Sequence, residues 1–82
     1  MEEKKIIDEL QNIFRDVFDN NDIFINSDTV AEDIEEWDSL SHIQLIFEVE
    51  KIFHVKFTSR EMLSWDNIGE MAETIRNKMN RI

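Results

Sequence analysis

Apolar residues recur with helical spacing at both ends of the chain. Ile6, Leu10, Ile13 and Val17 fall at i, i+4, i+7 and i+11, with Ile7, Phe14 and Phe18 beside them. Positions so spaced gather on one face of an α-helix, leaving the polar residues on the other. Ile68, Met71, Ile75 and Met79 repeat the pattern near the C-terminus. Asn67 stands where that helix needs an N-cap, with Glu70 three residues on. A third helix is expected from Ser39 to Phe53, with Asp38 as its cap. It is too apolar for one stripe. Leu45, Ile46, Val49, Ile52 and Phe53 can share a core face, while Leu40, Ile43 and Phe47 form a second stripe pointing elsewhere. Thr58 and Glu61 have capping-box spacing, and the short helix they would open carries Met62 and Leu63, with Trp65 after them. Pro is absent and Gly69 is the only glycine, too few turn residues for a set of strands. The pattern predicts an all-α, four-helix bundle of three longer helices and one short one, mainly antiparallel.

The connection between the first two helices has a different character. From Asp19 to Asp38 there are eight acidic residues and no Lys or Arg, which accounts for most of the chain's net charge of −10. Ile23, Phe24, Ile25, Val30 and Ile34 are scattered through it and should pin this long loop to the bundle. Thr29-Val30-Ala31-Glu32 has the spacing to cap one helical turn. A chain of 82 residues, 41% of them hydrophobic, makes one domain over 1–82 with a modest core. Cys is absent, which excludes a disulfide scaffold, a zinc-thiolate site and a thiol nucleophile. No apolar run is long enough to span a membrane or to serve as a signal peptide, so a cytoplasmic location is expected; the domain is read as a monomer. The negative charge would repel nucleic-acid phosphates and favours partners with basic surfaces.

Candidate chemistry centres on Glu36-Trp37-Asp38-Ser39-Leu40, where the acidic loop meets a helix. A helix N-terminus presents unpaired N–H groups and the positive end of the dipole, so a phosphate carried by Ser39 would be favoured there. The plainer reading is that Asp-Ser simply starts a helix well. Other chemistries fit poorly. Calcium-loop spacing fails from Asp19, where the sixth position is Phe24 and the twelfth Val30, and from Asp28, where the sixth is Asp33. No metal site is assigned, although the charge density leaves a loosely held divalent ion open. Ser39 and His42 are helical neighbours with Asp38 beside them, but no nucleophile elbow or oxyanion hole accompanies them. No catalytic residues are therefore assigned.

Together these features resemble the acyl carrier protein family. The resemblance rests on Asp38-Ser39-Leu40, the acidic loop before it and the helix after it with Glu50 near its end. It extends through Phe53-His54-Val55-Lys56-Phe57 and Asn67-Ile68. It implies a non-enzymatic carrier. A phosphopantetheinyl transferase would attach 4′-phosphopantetheine from coenzyme A to Ser39, between Asp38 and Leu40, making a phosphoprotein. Acyl or peptidyl groups would then ride as thioesters on the arm's thiol, which a chain without Cys needs from its cofactor. The setting implied is fatty-acid, polyketide or nonribosomal peptide biosynthesis.

A transient partner needs an exposed patch with both charge and apolar contact. Leu40, Ile43, Gln44, Phe47 and Glu48 fit that need, and Met62 and Trp65 are expected near the arm. Partners would be acyl-loading and acyl-transfer enzymes with basic docking surfaces. The helix departs from the fatty-acid carriers, because Ser41, His42, Gln44 and Lys51 dilute its acidity and Arg60 sits in the short helix. This points to a specialised carrier, for amino-acyl, polyketide or sugar-modifying acyl groups. The rival reading is a small acidic helical interaction domain without a prosthetic group.

Overall fold

The computed structural model describes residues 2–79. Four α-helices follow one another: α1 (Glu3–Val17), α2 (Ser39–Phe53), α3 (Ser59–Ser64) and α4 (Ile68–Met79), with a 3-10 turn at Ala31–Asp33 in the long loop. The described residues contain no strand. The core lies where α1 packs against both α2 and α4. Ile6, Leu10 and Phe14 from α1 meet Leu45 and Val49 from α2 and Ile68, Ala72 and Ile75 from α4, all fully buried. Burying an Ile, Leu or Phe side chain contributes about 1.5–3 kcal/mol relative to exposure, so this three-helix seam dominates the apolar stabilisation. By contrast, α3 contributes no buried residue.

The core face of α2 is narrower than its sequence suggests. Leu45, Ile46, Val49 and Phe53 are buried, but Ile52 is 44% exposed. At 100° per residue Ile52 falls just outside the arc that the other four define. It lies instead in an open groove with Ile13, Val17 and Phe47.

The acidic loop is pinned as its apolar residues suggest, though not by all of them. Ile23, Ile25 and Ile34 are buried, whereas Phe24, between Ile23 and Ile25, is exposed. Side chains of α1 hold the same segment: Arg15 Nε donates to the Ile23 carbonyl at 2.8 Å, and Gln11 Oε1 accepts the Ile25 N–H at 3.0 Å. The Arg15 guanidinium also covers the Phe24 ring, 5.1 Å from its centroid. The 3-10 turn does form, but Thr29 does not cap it. Val30 N–H donates to the Asp33 carboxylate and Asp33 N–H returns to the Val30 carbonyl. The Thr29 hydroxyl accepts the Asn26 N–H instead.

The loop then crosses the start of α4 and supplies acceptors there. Ile68 N–H donates to Thr29 O at 2.9 Å and Gly69 N–H to Ser27 O at 2.8 Å, satisfying donors that a helix N-terminus leaves unpaired. Asn67 is the expected cap, its Oδ1 accepting the Glu70 N–H. Gly69 is required by this crossing, since a Cβ there would lie 2.9 Å from the Ser27 carbonyl oxygen. At the other end of α2, His54 adopts the left-handed conformation (φ 57°, ψ 45°) that ends a helix. The Thr58–Glu61 capping box forms in both directions.

Candidate functional site

The junction between the loop and α2 is built by a reciprocal cap. Asp38 Oδ1 accepts the Ser41 N–H and Ser41 Oγ accepts the Asp38 N–H, each at 2.8 Å. The Ser41 hydroxyl in turn donates to the Glu36 carbonyl at 2.9 Å, fastening the two residues before Asp38 to the first turn of the helix. The Ser41 N–H is the chief reason that the Asp38 carboxyl is held below its ordinary value of 3.8. Ser39, the first residue of α2, is exposed, and its hydroxyl takes no part in these bonds. The cap thus fixes the backbone on both sides of Ser39 and leaves its Oγ free at the positive end of a fifteen-residue helix.

Beside Ser39 lies an open groove of about 610 Å³, lined by Trp37, Ser39, His42, Met62, Leu63 and Trp65 among others. Its wall is braced by hydrogen bonds. Trp37 Nε1–H donates to His42 Nδ1 at 3.0 Å, and His42 Nε2 faces the Met62 carbonyl at 3.1 Å. Aromatic rings continue the brace: Phe14 meets Trp37 edge-on, Trp37 stacks on His42, His42 meets Trp65 edge-on, and Trp65 meets Phe57 edge-on, at centroid distances of 5.0 to 6.3 Å. Trp65 Nε1–H donates to Thr74 Oγ1 at 2.9 Å, which ties the far end to α4. Both nitrogens of His42 are engaged away from Ser39, so Asp38, Ser39 and His42 do not form a triad.

The expected partner residues divide into two groups. Leu40, Ile43 and Phe47 are 71%, 54% and 66% exposed and form the outward stripe of α2, with Gln44 exposed and Glu48 half-buried alongside. Phe47, Gln44 and Glu48 also border a second groove, about 520 Å³, which Ile13, Asp16, Val17 and Ile52 complete. Met62 and Trp65 are half-buried and line the groove at Ser39. Leu63, expected on the short helix but given no role in the site, is 83% exposed at the rim of that groove. Sequence reasoning missed the Trp37–His42–Met62 brace. The five-residue step from Trp37 to His42 crosses a loop-helix boundary, where no simple periodicity signals contact. Among the described residues, no group of three or more His, Cys, Asp or Glu is placed to hold a metal.

A family model for the phosphopantetheine attachment site matches residues 8–75 of the chain. The protein belongs to this family. Of solved structures, the solution NMR structure of a holo acyl carrier protein from Geobacter metallireducens is similar over 93% of this chain and 87% of that one, with 39% sequence identity and a TM-score of 0.86. No curated protein matches. The chain is therefore an acyl carrier protein: it bears a covalent 4′-phosphopantetheine arm and carries acyl groups without catalysing their chemistry. The rival reading as a domain without a prosthetic group falls with this result. The site residues fit the group, since a free hydroxyl at a helix N-terminus suits a phosphodiester and the adjoining groove offers apolar walls to the arm. A carrier must meet partner enzymes, and no helix among the described residues is long and apolar enough to cross a membrane.

Proposed function

We propose that Ser39 Oγ is the atom that bears the arm. The observation that carries this is the exposed serine at the first position of α2, fastened on both sides by the Asp38–Ser41 cap and opening onto the groove. A phosphopantetheinyl transferase joins the Ser39 oxygen to the inner phosphorus of the pantetheine half of coenzyme A. The pyrophosphate bond breaks, adenosine 3′,5′-bisphosphate leaves, and the hydroxyl proton passes to the transferase. Once bound, the arm supplies the thiol that holds the acyl group as a thioester. Asp38 acts through the backbone, by fixing the turn that presents Ser39, and Leu40 begins the apolar rim. In the expected result, Ser39→Ala keeps the far-ultraviolet circular dichroism of the parent and gains no phosphopantetheine. A loaded Ser39→Ala protein would place the anchor elsewhere.

Leu40, Ile43, Gln44, Phe47 and Glu48 form the face that meets acyl-loading and acyl-transfer enzymes, with Met62 and Trp65 serving the arm's side of the same contact. The excess negative charge suits basic docking surfaces, disfavours self-association and fits a cytoplasmic monomer. The carrier is a specialised one. Supporting this, Ser41 and His42 on α2 are committed to internal bonds instead of presenting acids, and Lys51 and Arg60 are exposed cations. A malonyl-transferring enzyme of fatty-acid synthesis is expected to load it far more slowly than its own carrier, and equal rates would contradict specialisation.

A further inference from the structure

We propose that His42 is a positioning residue for the arm: it ties α3 to the helix that carries Ser39 and so sets the wall of the groove against which the arm lies. The proposal rests on the carrier reading above. Its first ground is the hydrogen-bond chemistry of the ring. An indole N–H can only donate, so Trp37 requires a bare Nδ1. A carbonyl oxygen can only accept, so Met62 requires a proton on Nε2. The two partners together dictate one neutral tautomer, and the ring bridges the loop, α2 and α3 in a single span of two bonds.

The second ground is how little of α3 is buried. The helix has six residues and buries none of them. A helix this short has no stability of its own in water. Among the described residues, its polar attachments to the rest of the fold, apart from the His42–Met62 bond, are the Glu61–Lys78 ion pair at 2.9 Å and, just beyond its end, the contacts of Trp65, while Met62 is half-buried. A single ion pair between such partly exposed side chains adds only modestly. Among the described residues, the His42–Met62 bond is therefore the hydrogen bond that joins α3 directly to the Ser39 helix. Met62, whose carbonyl accepts the hydrogen bond from Nε2–H, also lines the groove, as do His42 itself and Leu63. A groove wall free to drift would not present a defined surface to a flexible arm, and ordering the arm would then cost more conformational entropy.

Two substitutions separate the halves of the bridge. The Oδ1 of Asn reaches the position of Nδ1 and keeps the Trp37 bond, whereas the Nε2 of Gln reaches the position of the ring Nε2 and keeps the Met62 bond. In His42→Asn, the α3 amides from Met62 to Ser64 are expected to exchange about fivefold faster, the factor an ordinary hydrogen bond is worth. In His42→Gln they stay within about twofold of the parent on the same reckoning, and α4 core amides stay unchanged in both. Loading the arm is expected to shift the amide resonances of Leu63 and Trp65 in the parent and in His42→Gln, and to shift them much less in His42→Asn. Nitrogen-15 spectra of the unmodified parent should show the Nε2–H tautomer. A proton on Nδ1 overturns the proposal without recourse to any variant. It is also overturned if His42→Asn loosens α3 while the loading shifts persist, which would leave His42 a purely structural residue. Failure of the parent to load at Ser39 is a separate result, one that removes the anchor assignment and this proposal with it.

Discussion

Replacing Gly69 by Ala sets helix propensity against packing, and the structure decides which wins. Ala is favoured over Gly inside a helix by about 1 kcal/mol, so by propensity alone the variant would be more stable. The added Cβ, however, would lie 2.9 Å from the Ser27 carbonyl oxygen and 3.2 Å from both Ser27 Cβ and Asn67 Oδ1. Backbone cannot turn aside as a flexible side chain can, so the Ser27–Thr29 segment must retreat from α4. That retreat stretches the Gly69–Ser27 and Ile68–Thr29 bonds, now 2.8 and 2.9 Å, each worth about 1 kcal/mol net. Overpacking adds about 1–3 kcal/mol. After the propensity gain, the variant should lose about 2–4 kcal/mol. In a domain of this size each kcal/mol lowers the melting temperature by roughly 4–8 °C. Urea unfolding followed by circular dichroism gives the number, with exposed Asn77→Ala on the same helix as a control expected to stabilise by a few tenths of a kcal/mol. A Gly69→Ala protein as stable as the parent, or more so, would refute the reasoning that the loop is strapped to α4 through this position.

Further outcomes follow from the same structure. Ile43→Asp and Phe47→Asp should leave the helical signal and the unfolding midpoint close to the parent's, because both side chains are exposed, while slowing acyl transfer with partner enzymes; loss of folding would put them in the core. Raising salt should slow association with a basic partner, since the loop's charge assists encounter, and a salt-independent association rate measured by stopped flow would argue against steering. The Asp38 and Glu61 carboxyls are held low chiefly by the N–H groups of Ser41 and Thr58, respectively. Because their folded values lie below the ordinary 3.8 and 4.5, the stability they lend is present above that range and is lost as pH falls through the lowered values. Acid titration of Asp38→Asn and Glu61→Gln should accordingly show a shallower loss of stability than the parent, and a parallel curve would remove these two groups from the acid limb.

Much of this architecture is legible in the sequence because its signals are local. The stripes Ile6–Leu10–Ile13 and Ile68–Met71–Ile75, the Asp38 and Asn67 caps and the Thr58–Glu61 box each depend on residues within a turn or two of one another. Ile52 falls outside the core although its spacing suggests otherwise, because periodicity gives a face but not its width, and the margin of a face is decided by what packs against it. Thr29 does not cap the 3-10 turn because its hydroxyl accepts the Asn26 N–H instead. The groove at Ser39 lay further beyond reach. Its brace joins Trp37, His42 and Met62 across three elements, and only the folded path of the loop brings an indole N–H and a carbonyl to opposite sides of one imidazole. Ser39 itself was singled out by its setting, a serine just inside a capped helix at the end of an acidic loop, and by the resemblance that this setting completed.

The central claim is that Ser39 bears the arm. The most direct test incubates the purified, folded protein with coenzyme A, Mg²⁺ and a broad-specificity phosphopantetheinyl transferase, then measures intact mass and maps the modified peptide. The account predicts a gain of one phosphopantetheine, located on Ser39. A folded protein, shown not to be modified already, that gains nothing or gains the group on another residue would contradict it.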